Sequence, residues 1–156
     1  MKKQLYIAYG SNLDRAQMAY RCPTAKPMGV ATLKDYRLVF QGNPYGAHAN
    51  VIPEKGQEVP VVIWEIGAKD EASLDRYEGV AGGYYTKEYM TIETETGETV
   101  EGLIYIMTPR DFGIPRDSYL ETIAQGYLDF ELPINTLNEA VKHASQHMQV
   151  LHYAAR

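Results

Sequence analysis

The spacing of apolar and polar positions divides the chain into a strand-rich part and a helical end. Apolar runs, or alternating apolar and polar residues, predict β-strands at residues 5–9, 29–40, 49–52, 59–66, 84–95 and 98–108. Apolar residues at helical spacing predict helices at residues 13–21, 69–77, 116–131 and from Pro133 onward. Because helices are inserted between the strands or follow them, the pattern is typical of an α+β fold.

Turn-forming residues mark where the predicted strands are connected. Thr96 and Gly97 join the last two strands, which makes residues 84–108 the clearest β-hairpin in the chain. Residues 41–47 are predicted to form a loop and residues 53–56 a turn, because both are rich in glycine and proline. No linker or change of composition divides the 156 residues, so we expect residues 1–156 to form a single domain.

Charge and cysteine content exclude several kinds of partner. The formal net charge of −5 argues against nucleic acid, because that binding depends on Lys and Arg contacts to phosphate. No apolar segment approaches the length needed to span a bilayer, so no membrane is expected as a partner. Cys22 is the only cysteine, which excludes an intrachain disulfide and makes a reducing cytoplasm the expected location.

The first candidate for chemistry is the segment Tyr9-Gly10-Ser11-Asn12-Leu13, where the first strand runs into a glycine and then a helix. A glycine at a strand end lets backbone N–H groups turn toward one point, and a helix N-terminus adds positive partial charge. This order predicts a site for an anion or a developing oxyanion. A capped turn without a ligand has the same sequence, and these residues alone leave both interpretations open.

The second candidate is Glu78, which precedes Gly79 at the predicted end of a helix. A carboxylate there faces the negative end of the helix dipole, and burial would raise its pKa further. A carboxyl group with a raised pKa suits general acid/base catalysis. The same pattern fits a solvated surface glutamate, which is the more common situation for this residue type.

Other residues are weaker candidates. Ser11 follows Gly10 but lacks the full G-x-S-x-G pattern of a serine nucleophile. His143 and His147 could share a metal on one helix face, but their polar surroundings and the absence of a known metal motif favour solvated histidines. His48 lies in a glycine-rich loop and could line a cleft.

The order of several short motifs resembles that of one known family. The segment Tyr9–Leu13 is followed by ATLKDYRL at residues 31–38, LDRYEGV at residues 74–80, the pair at residues 84–85 and YIMT at residues 105–108. Each motif is short, but their order and spacing together are specific and extend over nearly the whole chain. The chain is similar to the γ-glutamylcyclotransferase family, also called AIG2-like.

The resemblance implies a compact mixed β-barrel of about six to seven strands with flanking helices. It also implies a reaction that releases 5-oxoproline from a small γ-glutamyl compound and leaves a free amino acid or amine. No metal, nucleotide or redox cofactor is needed for this reaction, and none is expected. By motif, Glu78 matches the catalytic glutamate of the family. The residues implied to bind the substrate are Tyr9, Gly10, Ser11, Asn12, Leu13, Tyr85, Tyr105 and Tyr119.

The identity of the leaving group stays open at this point. The Ser11-Asn12 form of the loop favours γ-glutamyl-amino acids or an antibiotic precursor over γ-glutamyl-ε-lysine, whereas glutathione-degrading relatives are more distant. Pro60-Val61 and Asn50 depart from the family pattern and put the preference for a leaving group in doubt. A γ-glutamyl-amine substrate, a non-catalytic binding domain that retains the pocket, and a homodimer are further alternatives.

Overall fold

The structure, a computed structural model, describes residues 3–148. The strands are β1 (Gln4–Ala8), β2 (Lys26–Asn43), β3 (Gly46–Ile66), β4 (Tyr85–Glu93) and β5 (Thr99–Met107). The helices are α1 (Arg15–Arg21), α2 (Ala68–Tyr77), α3 (Asp117–Asp129) and α4 (Asn135–His147), and a 3-10 turn at Ser11–Leu13 precedes α1. The expected α+β class is therefore confirmed. No helix within residues 3–148 is long and apolar enough to cross a membrane.

The strands form one mixed sheet with β1 at its centre. The spatial order is β2-β3-β1-β5-β4. β1 runs antiparallel to β3 and parallel to β5, where Tyr6 is opposite Leu103. The outer pairs β2–β3 and β4–β5 are antiparallel hairpins, and the second of these is the hairpin predicted from Thr96 and Gly97. The end of β1 therefore lies between two long hairpins.

The closed barrel of six to seven strands is not confirmed. The sheet has five strands and is not closed, and an isolated bridge between Ala31 and Thr94 is the point where β2 meets β4. The count is lower because β3 continues through residues 53–56, for which the sequence predicts a turn. Asp35 and Gly56 both have positive φ angles, and the Asp35 carboxylate accepts a 3.0 Å hydrogen bond from the Gly56 N–H. The extra residues form a bulge within one long strand.

The predicted helices are present, and close packing fixes their position on the sheet. α2 begins after Gly67, whose N–H donates to the Asp70 carboxylate at 3.0 Å, so Asp70 lies inside the helix rather than at its cap. α3 packs directly on the 3-10 turn at Gly126. A Cβ atom at Gly126 would lie 2.4 Å from the Leu13 Cβ. A glycine at this position is what allows α3 to hold the turn in place.

Candidate active site

The loop after β1 is a tight turn with unused backbone donors. The Leu13 N–H donates to the Gly10 carbonyl at 3.0 Å, while the N–H groups of Ser11 and Asn12 have no acceptor within this first turn. A Cβ atom at Gly10 would lie 3.1 Å from the Ala49 Cβ, so the loop lies directly against β3. Ser11 and Asn12 both line a cleft, so their N–H groups stay the candidates for the predicted anion or oxyanion site.

Side chains of α1 hold this loop from behind. The Gln17 amide donates to the Ser11 hydroxyl at 2.7 Å and to the Asn12 side-chain oxygen at 3.0 Å. The same Asn12 oxygen accepts from the Arg21 guanidinium at 3.1 Å, and the Asn12 amide donates to the Tyr6 hydroxyl at 2.9 Å. Ser11 is therefore held as a hydrogen-bond acceptor, and the network fixes the orientation of the loop.

Glu78 follows the last residue of α2 and faces a cavity. Its N–H donates to the Leu74 carbonyl at 2.8 Å, and Gly79 then ends the helix with a φ angle of +64°. The side chain is partly buried, and none of the salt bridges among residues 3–148 includes it. Burial raises the pKa of the Glu78 carboxyl to about 7, and the nearby positive charge of Arg21 opposes that rise. The group can therefore gain or lose a proton near neutral pH.

The carboxyl group lies in a small cleft that leads into a larger cavity. The inner cleft has a volume of about 30 Å³ and is walled by the Tyr9–Asn12 loop, Glu78 and tyrosine side chains. The outer cavity has a volume of about 820 Å³. Four residues line both spaces, namely Ser11, Glu78, Tyr85 and Tyr119. The two spaces therefore form one continuous site with Glu78 at the junction.

The tyrosines of the inner cleft are fixed by their hydroxyl groups. Tyr9 donates to the Tyr105 carbonyl at 2.6 Å, and Tyr85 donates to the Ala49 carbonyl at 2.7 Å. The Tyr119 hydroxyl accepts from the Ala49 N–H at 2.9 Å. Burial is the main cause that raises the pKa values of Tyr9, Tyr85 and Tyr119 above the ordinary range. These phenols stay neutral near pH 7, so Glu78 is the group in the cleft that titrates there.

The structure brings most of the expected site residues together. All of them except Leu13 line the inner cleft: Tyr9, Gly10, Ser11, Asn12, Glu78, Tyr85, Tyr105 and Tyr119. Leu13 is fully buried in the core, and its N–H is used within the turn, so it supports the loop from below. His48 lines the outer cavity, but it does so from β3, where it is paired with Gln41, and not from the predicted loop. Direct contact of each residue with a substrate stays a prediction.

Two residues of the site were missed, and one interpretation was wrong. Tyr6 and Arg21 line the site, but a tyrosine in a strand and an arginine at a helix end carry no signal of their own in the sequence. The expectation of a solvated His143 is corrected, because its ring packs edge-on against Phe112 at 4.8 Å and stacks on His147 at 4.1 Å. Among residues 3–148, no cluster of three or more metal-ligating side chains is present.

Comparison with known proteins places this site in a family. The family model described as "Gamma-glutamyl cyclotransferase, AIG2-like" matches residues 6–127. The chain belongs to the gamma-glutamyl cyclotransferase, AIG2-like family. The matched region includes every residue of the inner cleft. The resemblance inferred from the order of the motifs is confirmed.

Individual members of the gamma-glutamyl cyclotransferase family are similar over most of the chain. A protein named "Gamma-glutamylcyclotransferase" from Bos taurus is 34% identical over 138 residues, which cover 83% of this chain and 73% of the relative. One of the same name from Homo sapiens is 33% identical over 137 residues, with coverage of 83% and 73%. A solved structure named "Gamma-glutamyl cyclotransferase" superposes with a TM-score of 0.82 at 29% identity, and covers 89% of this chain and 86% of that one.

Proposed function

We propose that the chain is a γ-glutamylcyclotransferase that converts a γ-glutamyl-amino acid into 5-oxoproline and a free amino acid, with Glu78 as the general acid/base. Family membership and the names of the relatives support the activity. The observation that carries the mechanism is the partly buried Glu78 carboxyl, whose pKa is about 7, at the junction of the two spaces. Its proton affinity suits a group that must first accept a proton and then donate it.

The reaction needs little from the protein besides positioning and proton transfer. The α-amine of the substrate attacks the γ-carbonyl carbon of the same glutamyl group, and a five-membered ring closes. Because the nucleophile is tethered, the reaction is already unimolecular, and the protein lowers the barrier further by holding the folded conformer in which the amine faces the carbonyl. In this proposal the Tyr9–Leu13 loop holds the glutamyl group, and the cleft tyrosines Tyr85, Tyr105 and Tyr119 enclose it.

Protons and charges balance without a cofactor. The substrate amine arrives as an ammonium, and the ionised Glu78 takes one proton as the C–N bond forms. The carbonyl oxygen becomes an oxyanion, which the free N–H groups of Ser11 and Asn12 are positioned to stabilise. The protonated Glu78 gives its proton to the leaving nitrogen as the C–N bond to the leaving group breaks. The carboxylate then takes the second proton from the ring nitrogen, which leaves a neutral lactam, and passes it to the released amine, which departs as an ammonium. Glu78 ends ionised, as it began.

The test measures 5-oxoproline release from γ-glutamyl-alanine, γ-glutamyl-ε-lysine, γ-glutamyl-ethylamine and glutathione. We expect turnover of γ-glutamyl-alanine, and a loss of roughly 10²–10⁴-fold in Glu78→Gln, because the only group that can shuttle the proton is gone. Glu139→Gln is the matched control, since Glu139 is an exposed glutamate on α4 outside the cavity.

Each alternative predicts a different result in the same panel. Turnover of γ-glutamyl-ethylamine in preference to γ-glutamyl-alanine would identify a γ-glutamyl-amine substrate. Unchanged turnover in Glu78→Gln, with folding verified by circular dichroism, would contradict the catalytic assignment. Binding of a γ-glutamyl compound without 5-oxoproline release would favour a non-catalytic domain. The cytoplasmic location, the single domain and the homodimer expected from the sequence stay predictions.

A further inference from the structure

The outer cavity has room for more than the group that reacts. If the glutamyl moiety lies against the Tyr9–Asn12 loop with its γ-carbonyl beside Glu78, the leaving group extends from that carbonyl into the 820 Å³ space. A γ-glutamyl-amino acid carries a second carboxylate there, whereas a γ-glutamyl-amine carries none. The charges on the wall of the outer cavity therefore bear directly on which leaving group is accepted.

Arg110 is a cation on the wall of this cavity. Its guanidinium carbon lies 4.7 Å from the centre of the Tyr84 ring, and both residues line the outer cavity. None of the salt bridges among residues 3–148 includes Arg110, and its one side-chain hydrogen bond in this range is a 3.4 Å contact with Thr108. The charge and most of the donors of Arg110 are thus available to a ligand.

The backbone that carries Arg110 is held by buried polar side chains. The Gln41 amide donates to the Arg110 carbonyl at 3.1 Å, and the Asn50 amide donates to Gln41 at 2.7 Å. Asn50 in turn accepts from the Met107 N–H at 2.9 Å. Asn50 is one of the positions that depart from the family pattern. In this chain it anchors the segment that presents Arg110, so the backbone from which the guanidinium extends is held in place.

Charged groups of both signs lie around the outer cavity. Arg21 lies at its inner end, and the Arg116 guanidinium packs 3.2 Å from the position that a Cβ atom would take at Gly46 on the wall. Burial lowers the pKa of His48 beside them, and the charges of Arg116 and Arg21 lower it further, so that imidazole is neutral. Asp111 and Glu78 also line the cavity as acidic groups, and Arg21 and Arg110 are arginines on its wall. Arg21 already donates to Asn12, whereas within residues 3–148 Arg110 keeps most of its donors free.

We propose that Arg110 is a specificity-determining residue, whose guanidinium binds the carboxylate of the amino acid leaving group and selects γ-glutamyl-amino acids over γ-glutamyl-amines. This inference rests on the proposed cyclotransferase function. A guanidinium matches a carboxylate in charge and in planar, two-point geometry. The carboxylate that Arg110 contacts is two bonds from the leaving nitrogen and takes no part in ring closure or proton transfer, so the contribution of Arg110 belongs to binding and is expected in KM rather than in kcat.

The experiment compares two substrates that differ only in this carboxylate. γ-Glutamyl-ethylamine is γ-glutamyl-alanine with the α-carboxylate replaced by hydrogen. Wild type is expected to have a kcat/KM about tenfold higher for γ-glutamyl-alanine, since the cavity is open to solvent and weakens the ion pair. In Arg110→Gln the KM for γ-glutamyl-alanine should rise about tenfold, while the KM for γ-glutamyl-ethylamine should stay unchanged and kcat should change little for both.

Two further variants separate charge from geometry. Arg110→Lys keeps the positive charge but loses the planar, two-point geometry of the guanidinium. It should retain part of the preference for γ-glutamyl-alanine over γ-glutamyl-ethylamine. Lys55→Gln removes one positive charge from an exposed position in the β3 bulge, away from the cavity, and should retain all of it. Circular dichroism checks that each variant folds. Since Arg110 is exposed and its carbonyl holds the Gln41 contact, the side chain can be exchanged without removing that support.

The possible outcomes test the Arg110 assignment separately from the cyclotransferase function on which it rests. Equal kcat/KM for the two substrates in wild type would overturn the Arg110 assignment and leave the cyclotransferase intact. The Arg110 assignment would also be overturned if Arg110→Gln weakened both substrates equally. Absence of 5-oxoproline from both substrates would overturn the proposed function, and the Arg110 assignment with it.

Discussion

Asp75 and Glu78 lie on the last turn of α2 and at its end, yet their surroundings are opposite. The Asp75 carboxylate accepts a 2.7 Å hydrogen bond from the Tyr105 hydroxyl and a 3.1 Å salt bridge from Lys87. Lys87 also pairs with Glu71, so Asp75 belongs to a structural network that joins α2 to the β4–β5 hairpin. Glu78 has no salt-bridge partner among residues 3–148 and faces the cavity instead.

The difference indicates how one helix end provides both support and chemistry. The partners of Asp75 bind the helix end to the sheet. Burial without a partner makes the ionised form of Glu78 costly, which is why its pKa rises to about 7. Glu78 therefore lacks a stabilising ion pair, and for that reason it can exchange protons near neutral pH.

The largest expected effect is the pH dependence of turnover. Glu78 must be ionised to accept the proton of the substrate ammonium, and its pKa is about 7. Values of kcat/KM for γ-glutamyl-alanine should therefore approach a tenfold fall per pH unit below pH 6, and fall about 50-fold between pH 7 and pH 5. The measurement is initial 5-oxoproline release across this range, with folding monitored at each pH.

The control for this profile is Glu78→Gln, whose residual activity should show no acid limb near pH 7. A flat wild-type profile between pH 5 and pH 8 would contradict the assignment of Glu78 as the proton acceptor. A limb near pH 4.5 would mean that Glu78 behaves like an ordinary solvated glutamate, and the contrast with Asp75 would disappear.

The second expected effect is on the free energy of unfolding. Glu78→Gln should lower the activity but raise the stability of the folded state at pH 8. Folding raises the Glu78 pKa from 4.5 to about 7, so between these values the native state binds the proton more tightly than the unfolded state. Stability from this group is complete below pH 4.5 and is lost as the pH rises through 7. Glu78→Gln avoids the charge and should be more stable than wild type at pH 8, by about 2 kcal/mol after allowance for solvent in the cavity.

Chemical denaturation at pH 8 and pH 4.5 measures this effect. The advantage of Glu78→Gln should be present at pH 8 and absent at pH 4.5, because at the lower pH the native carboxyl is protonated. Glu139→Gln, which replaces an exposed glutamate, should show no such change between the two pH values. Lower stability of Glu78→Gln at pH 8 would indicate a stabilising partner for the carboxylate and would remove the basis of the comparison.

Most of the secondary structure could be predicted because its causes are local. The hairpin at Thr96 and Gly97, and the helix that ends before Glu78, follow from turn residues and apolar spacing within a few positions. The number of strands could not be predicted in this way. Residues 53–56 look like a turn, and only the pairing of both flanking segments with β2 makes them a bulge inside β3.

The site could be predicted only in part, for a related reason. The order of the motifs indicated Glu78 and the Tyr9–Leu13 loop, but the surroundings of Glu78 depend on elements distant in sequence. Arg21, which opposes its pKa rise, comes from α1, and Tyr119 comes from α3. No local pattern distinguishes Asp75 from Glu78 as the paired carboxylate, since Lys87 and Tyr105 reach Asp75 from other strands.

The third prediction concerns Asp75 and tests whether its contacts stabilise the fold without taking part in the reaction. Asp75→Asn keeps an oxygen for the Tyr105 hydroxyl but removes the charge that faces Lys87. Because Lys87 and Asp75 are partly exposed and Lys87 retains Glu71, the loss of stability should be about 0.5–1 kcal/mol. Turnover should change less than about threefold, since the pair does not touch the reacting atoms.

Denaturant unfolding and 5-oxoproline release on the same preparation test this. A loss of activity in Asp75→Asn as large as that in Glu78→Gln would mean that Asp75 takes part in the chemistry, and the division between the two carboxylates would be wrong. Lys87→Met provides a second measurement, because it removes the same pair from the other side and should reproduce the small loss of turnover.

The smallest expected effect comes from Arg21, whose positive charge opposes the rise in the Glu78 pKa. Arg21→Gln removes that charge, so the pKa of Glu78 should rise further and the acid limb of kcat/KM should move to higher pH. The displacement is secondary to the effect of burial, because burial is the larger cause. The measurement is the same pH profile, in the variant and in wild type.

Arg76→Gln is the matched control for Arg21→Gln. Arg76 lies on the last turn of α2, close to Glu78 in sequence, but it is exposed, lines a different groove and does not line the cavity. Removing its charge should leave the limb in place, whereas a general effect of net charge would move the limb in both variants. A limb that moves to lower pH in Arg21→Gln would mean that Arg21 raises the pKa through the loop, by its contact with Asn12, rather than lowering it by charge.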